Sequence, residues 1–342
     1  MKKLLNTLFV TTQGAYLAKE GETVLVNVEK ETKLRVPIHN LGSIVCFGNV
    51  LCSPFLMGMC GERSVTLSFL TEHGRFLARV HGPVHGNVLL RREQYRRADD
   101  PQACEQVARA IVTAKVANCR VVLQRAVRDK ADLADTRIPK TLEDLLSYLH
   151  DLQNMEDVDR IRGIEGIAAN AYFGVFDHLI TANKDHFFFK ERSRRPPLDN
   201  VNALLSFLYT LLVHDVTGAL EAVGLDPGVG FLHRDRPGRP GLALDLMEEL
   251  RPYLADRLAL SLVNRQQVKP GGFTKTESGA VTMDDDTRKT VLVAWQERKK
   301  EEITHPFIQE KIEIGLLPHV QAMLLARHLR GDLEGYPPFL WK

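Results

Sequence analysis

The sequence predicts an α+β protein. A β-rich, β-sandwich-like domain covers residues 1–90 and a larger all-α domain covers residues 91–342. Three observations carry this. Residues before about 90 fall into short β-branched or aromatic runs separated by turn signals. From Arg91 onward, apolar residues recur at three- and four-residue spacing over long windows. A chain of 342 residues, 44% hydrophobic and 26% charged, has the composition of a soluble globular protein with room for two cores.

The predicted strands are Leu4–Val10, Thr23–Val28, Lys33–Pro37, Ser43–Phe47, Ser64–Phe69 and Arg75–His81, with turns at Glu20-Gly21-Glu22 and His73-Gly74. Ser53–Cys60 is the one helix expected among them, with Ser53 as cap and Pro54 in its first turn. His39, His73, His81 and His85 are scattered, and the His81–His85 loop lacks a metal-ligand pattern. The first residues alternate like a strand and lack the apolar run of a signal peptide. No window is expected to span a membrane. The five cysteines show no CxxC pairing, which predicts reduced thiols in a cytoplasmic protein and no zinc site. A net charge of +2 leaves any polyanion to be met by local patches.

In the second domain, Arg91, Arg92, Arg96 and Arg97 fall at the expected hinge. Gln102–Lys130 reads as a long amphipathic helix with Val107, Ile111, Ala114, Val121 and Val122 toward a core. Its polar residues include Lys115, Asn118, Arg125 and Arg128, which form either a solvated face or a phosphate-binding one. Lys140–Leu152 is a helix capped by Thr141. Along Asp157–Ile180 the stripe Ile161, Ile164, Ala168, Tyr172, Val175, Phe176 and Leu179 marks the buried face. Glu165 projects only about 40° from Ile161 on the same wheel. A carboxylate on an apolar face needs a cation, a shifted pKa or an arginine partner such as Arg162. Gly163 and Gly166 beside it permit close approach of another backbone.

Lys184–Pro197 interleaves three phenylalanines with Lys190, Arg192, Arg194 and Arg195, a pattern that suits nucleic acid or a solvated loop with core anchors. Asp199–Thr217 is apolar all round and predicts a central buried helix. His233 follows, in an Arg-rich stretch with Arg234, Arg236 and Arg239, punctuated by Pro237, Gly238, Pro240 and Gly241. From Leu242 a helix begins, with Leu242, Leu246, Met247 and Leu250 on one stripe. Asp245, Glu248 and Glu249 share its other flank, and Pro252 stops or kinks it. The three carboxylates form a solvated acidic face or, with His233, a Mn²⁺- or Mg²⁺-type site. Tyr253–Asn264 continues helical, and Lys269–Arg288 is a loop, with room for a small hairpin, or disordered. Lys289–Lys300 and His305–Arg330 are helices, and Tyr336, Phe339 and Trp341 cluster in the tail. No P-loop, GxGxxG or nucleophile elbow is present.

Four ordered motifs carry a family resemblance. They are Gly163-Ile164-Glu165-Gly166 with Ala171-Tyr172-Phe173; Arg194-Arg195-Pro196-Pro197 running to Asn202-Ala203-Leu204-Leu205-Ser206-Phe207; Gly230-Phe231-Leu232-His233; and Leu242 to Pro252. Gln321-Ala322, Leu329-Arg330-Gly331 and Tyr336-Pro337-Pro338-Phe339 add to them. In this order the chain resembles the CRISPR-associated integrase, the first of the Cas proteins, over nearly its whole length, and looks most like the subtype I-C branch. The resemblance implies a homodimer joined partly through the β domains. It implies double-stranded DNA as substrate and a small ferredoxin-like second Cas protein as partner. It implies one Mg²⁺ or Mn²⁺ held by Glu165, His233 and Glu248, with Asp245 as a neighbouring acid and the roles of Asp245, Glu248 and Glu249 still to be divided. The implied reaction is transesterification: the 3′-hydroxyl of a prespacer attacks a phosphodiester at the border of a CRISPR repeat, with no protein nucleophile. Lys115, Arg192, Arg194, Arg195, Arg234 and Arg239 are the candidate phosphate contacts. A metal-dependent nuclease on branched DNA and a catalytically silent DNA-binding scaffold are the alternatives.

Overall fold

The structure is a computed structural model that describes residues 5–80, 82, 88–130, 133 and 136–341. His81 and His85 lie outside the described residues. The chain divides into two compact units, Met1–His85 and Gly86–Lys342.

The first unit holds two four-stranded sheets. One has the order β1 (Asn6–Val10), β5 (Leu41–Phe47), β7 (Thr66–Leu70), β8 (Phe76–Val80); β1, β5 and β7 run parallel, and β8 is antiparallel. The other has the order β4 (Glu31–Pro37), β3 (Thr23–Val28), β2 (Tyr16–Glu20), β6 (Leu51–Cys52). One core joins Leu17, Val24 and Val26 of the second sheet to Ile44, Cys46 and Leu67 of the first. Helix α1 (Pro54–Glu62) adds Leu56, Met59 and Cys60 to it. The Ser53 hydroxyl caps α1 by accepting from Leu56 N at 3.2 Å, as its sequence predicts. Strands β2 and β6 have no counterpart in the sequence reading. Only Leu17 of Tyr16–Glu20 is buried, so alternation is too weak to see; pairing with β3 across the turn at Gly21 (φ 56°) makes it a strand. All five cysteines are free. Burial pushes Cys52 and Cys104 up to about 11 and Cys60 up to about 12, leaving them protonated and unreactive.

The second unit is helical but not all-α. Two short antiparallel ribbons, β9 (Phe273–Lys275) with β10 (Val281–Met283) and β11 (Glu302–Thr304) with β12 (Lys311–Glu313), correct that expectation. The hinge arginines lie on a helix, α2 (Val88–Ala98). Helix α3 (Pro101–Asp129) is capped by Asp100 and, at 29 residues, runs about 43 Å. It packs against α4 (Ile138–Gln153), α5 (Val158–Gly174) and α7 (Gly241–Arg251). Thr141 does not cap α4; its hydroxyl donates back to Arg137 O from inside the helix. Helix α5 starts at the Asp157 cap and ends at Gly174, so Phe176 and Leu179 belong to a following 3₁₀ turn. Helix α6 (Asn200–Val223) is long and apolar enough by composition to cross a membrane, contrary to the sequence expectation. Its apolar residues are buried against α7 and α10 (Leu317–Leu329), so it serves as the central helix of this unit. Pro252 does not stop the helix: a π-helical turn, Pro252–Asp256, joins α7 to α8 (Arg257–Asn264). Asp284 caps α9 (Asp285–Lys300), four residues before the expected start. The region from His305 to Glu313 is not helical, because Pro306 interrupts the period and β12 pairs with β11; a 3₁₀ turn, Ile314–Leu316, then leads into α10.

Candidate metal centre

Three side chains meet because α5 and α7 both pack on α3. Lys115, on α3, is 6% exposed. Its ammonium pairs with Glu165 of α5 and lies 2.7 Å from Glu248 Oε2 of α7. The face of α3 that reads as a solvated or phosphate-binding surface is therefore partly internal. Lys115 neutralises carboxylates, Asn118 is buried, and the Arg125 guanidinium stacks 4.0 Å from the Trp341 ring centroid. Arg162 is not the partner of Glu165; it pairs with Asp159, and its Nε donates to Leu232 O at 2.5 Å.

The acidic face of α7 is buried as well. Asp245, Glu248 and Glu249 are 0%, 2% and 0% exposed, which removes the solvated reading. Each has its own task. Asp245 Oδ2 accepts from Phe231 N (2.6 Å) and Leu232 N (2.9 Å), and Oδ1 accepts from His233 N (2.9 Å). Oδ1 also lies 2.6 Å from His233 Nδ1. A carboxylate accepts only, so this contact puts the imidazole proton on Nδ1 and leaves Nε2 facing Glu248 Oε1 at 4.0 Å. Glu248 Oε1 accepts from Arg251 Nη1 at 2.6 Å, an i,i+3 pair on α7. Burial pushes the Glu248 pKa up, but Arg251, Lys115 and His233 outweigh it and hold the group down at about 2. For Lys115, burial favours the neutral amine, yet Glu248 and Glu165 more than reverse this and keep it charged. Glu249 turns away, accepting from Tyr336 Oη (2.5 Å), Gln321 Nε2 (3.1 Å) and Phe339 N (2.7 Å).

The histidine loop is held by residues that its own sequence does not announce. Gln94 of α2, 0% exposed, donates to Asp226 O and Val229 O, both at 2.8 Å, and accepts from Asp226 N at 2.9 Å. A Cβ at Gly230 would meet Asp245 Oδ2 at 2.6 Å, and one at Gly241 would meet Gly228 O at 2.6 Å. Only glycines let this loop lie so close to the start of α7. On α5, by contrast, a Cβ at Gly163 or Gly166 would touch nothing within 4 Å, so these two positions face open space, on a flank about 100° or more around the helix from Glu165.

The remaining candidates separate. Arg192 is partly buried and structural, its Nη1 donating to Asn202 Oδ1 at 2.7 Å and its Nη2 to Ser206 Oγ at 3.2 Å. Arg194 and Arg195 are exposed, and Arg239 is half-buried. Arg234 is exposed and grips both oxygens of Asp159 at 2.9 Å. Among the described residues, no three His, Cys, Asp or Glu side chains are already arranged to hold an ion. The donor chemistry nevertheless fits a hard divalent cation with one nitrogen ligand. Glu248 Oε2 is buried, and the space beside it is taken by the Lys115 ammonium at 2.7 Å.

Asp256, in the π-turn behind the site, is 1% exposed and accepts from Tyr209 Oη at 2.7 Å. Burial pushes it up to about 6, although the Tyr209 hydroxyl, Arg251 and Arg192 pull the other way. A carboxyl raised on folding contributes stability below its ordinary pKa of 3.8 and loses it as pH rises through about 6. Asp256→Asn is therefore expected to gain on the wild type by up to about 3 kcal/mol between pH 4 and pH 7. Urea unfolding across that range checks it; parallel curves for the two proteins would contradict it.

The family described as CRISPR associated protein Cas1 matches residues 8–297. The CRISPR-associated endonuclease Cas1 1 of Chlorobaculum tepidum is 57% identical over 343 residues, covering 100% of both chains. The CRISPR-associated endonuclease Cas1 2 of Rhodospirillum rubrum is 54% identical over 347 residues, again covering 100% of both. In fold, the chain is similar to a CAS1 protein from Thermotoga maritima (TM-score 0.83, 22% identity, 98% of this chain and 100% of that one). It is also similar to a casposase bound to its integration product (TM-score 0.85, 21% identity, 99% of this chain and 95% of that one). A family matched over most of the chain, together with full-length relatives more than half identical, establishes that this chain belongs to the Cas1 family of CRISPR-associated proteins.

Proposed function

We propose that this chain is a divalent-metal-dependent DNA integrase of CRISPR adaptation that joins prespacer 3′-hydroxyl ends into the repeat array by transesterification. The observation that carries the reading is the convergence of Glu165 and Glu248 on one shared cation, with His233 Nε2 turned toward Glu248. Glu165, His233 and Glu248 would hold Mg²⁺ or Mn²⁺. Such an ion supplies Lewis-acid polarisation of the scissile phosphate and stabilises the leaving 3′-oxygen. The chain's own residues do the rest. Asp245 fixes the imidazole so that its Nε2 lone pair faces Glu248. Arg251 keeps Glu248 ionised. The open positions at Gly163 and Gly166 leave room for a DNA backbone along a flank of α5. Arg194, Arg195 and Arg239, with Arg234 once freed from Asp159, neutralise phosphates. Such contacts give affinity without sequence readout and weaken as salt rises.

The acting unit is a homodimer with a second small Cas protein, in the cytoplasm, and the subtype is I-C. Solved Cas6-RT-Cas1–Cas2 complexes contain chains with this fold, which supports the partner. The relatives' name, endonuclease, supports a second reading in which water replaces the 3′-hydroxyl and the same site nicks DNA.

Glu165→Ala and His233→Ala are each expected to cut strand transfer by about 10³-fold or more, as loss of a metal ligand does. Both should stay folded, because Lys115 keeps Glu248 and Asp245 keeps its three backbone donors. The measurement is joining of a labelled prespacer to a repeat-containing duplex in Mn²⁺ or Mg²⁺, beside nicking of the same duplex. Full joining by both variants would remove the site; nicking without joining would favour the hydrolytic reading.

A further inference from the structure

Two cations sit on Glu248, and they are not equivalent. Arg251 is held in place: it is 2.6 Å from Glu248 Oε1, and its guanidinium stacks 4.8 Å from the Tyr209 ring centroid. Lys115 ends a flexible four-carbon stem and bridges Glu248 to Glu165. Those are two of the three side chains that would hold the ion. With one ammonium and one guanidinium against two carboxylates, the cluster is formally neutral with no ion bound. An ammonium and a divalent ion cannot occupy the same pair of oxygens, because they repel and because the carboxylate lone pairs are shared out between them. Arg251 cannot leave without uncovering a carboxylate that is 2% exposed. Lys115 can: its other partner, the Glu165 side chain, is 26% exposed and can carry water or a cation in its place.

We infer that Lys115 is an exchangeable internal counter-ion: its ammonium holds Glu165 and Glu248 together in the metal-free protein and must be displaced for a divalent ion to bind, so that this residue sets the metal affinity. The inference rests on the metal centre proposed above and adds a positioning residue to it. It also accounts for a lysine buried between two carboxylates. Without it, the metal-free chain would hold an ionised Glu248 beside an uncompensated Glu165.

The test is calorimetric titration of Mn²⁺ into the full chain, with thermal melts in chelator and in Mn²⁺, for wild type, Lys115→Met and Glu248→Gln. Lys115→Met is expected to bind Mn²⁺ about 10- to 100-fold more tightly, to melt lower than wild type in chelator, and to recover that difference in Mn²⁺. Damage to the fold would weaken binding, so a tightening cannot come from a merely structural role. If Lys115→Met does not fold in chelator, Lys115→Gln, which keeps an N–H donor, is read in the same way. Binding by wild type that Glu248→Gln abolishes, with equal or weaker binding by the Lys115 variants, overturns this inference and leaves the metal centre standing. No Mn²⁺ binding by any of the proteins overturns both.

Discussion

Asp245→Ala is expected to destabilise the helical unit by about 4 kcal/mol or more and to abolish strand transfer. Asp245 is 0% exposed and accepts from three successive backbone N–H groups and from His233 Nδ1. Alanine leaves those donors buried and unpaired, at about 1–3 kcal/mol each where water cannot reach them. Asp245→Asn separates fold from chemistry. It keeps the volume and one accepting oxygen, but its amide N–H₂ turns a donor toward the imidazole. His233 Nδ1 must then accept, and its proton moves to Nε2, the nitrogen that faces Glu248. A smaller stability loss, with metal affinity down roughly 10–100-fold, is the expected pattern. Urea denaturation and Mn²⁺ titration of the two variants measure it. An Asp245→Ala protein as stable as wild type would show that the loop does not depend on this carboxylate.

How much of this was legible depends on how far each partner lies along the chain. The helical period placed Glu165 near the buried stripe of α5, and the spacing of α7 grouped Asp245, Glu248 and Glu249. Even the Glu248–Arg251 pair was readable as an i,i+3 contact, though it went unread. What periodicity could not divide was the labour among three neighbouring carboxylates. That division is made by His233, twelve residues back, by Lys115 on α3, and by Tyr336 and Phe339 in the tail. For the same reason Lys115 read as part of a polar face, since a lysine's partner 50 residues away leaves no local trace. The β9–β10 ribbon falls where the turn residues of Lys269–Arg288 left room for a hairpin, whereas β11 and β12 are three-residue strands set by pairing, too short for alternation to register. The turn at Pro252 shows the limit of a local rule. Proline lacks the N–H that an α-helix would use there, and a widened π-turn carries the chain on into α8.

Glu249→Ala should show that the neighbour of Glu248 plays no part in the metal centre. Its oxygens face Tyr336 Oη, Gln321 Nε2 and the Phe339 N–H, and Asn118 reinforces the same junction by donating to Glu249 O (2.7 Å) and Phe339 O (2.8 Å). Asn118 Oδ1 also accepts from Trp341 N at 2.8 Å. Phe339 is 0% exposed, so the tail is part of the core of this unit. Alanine removes the shared acceptor and leaves the Tyr336 hydroxyl proton and the Phe339 N–H buried without one, while Gln321 Nε2 keeps Tyr336 Oη (2.7 Å) and Pro337 O (3.3 Å). The expected cost is about 3–5 kcal/mol. It should be concentrated in the tail, which becomes open to a protease that leaves the wild type intact. Mn²⁺ affinity should stay at the wild-type value, since the Glu248 pairs with Lys115 and Arg251 do not involve Glu249. Loss of Mn²⁺ binding in a Glu249→Ala protein with an intact tail would instead make this carboxylate a ligand. Retained binding with a released tail would assign it to the junction alone.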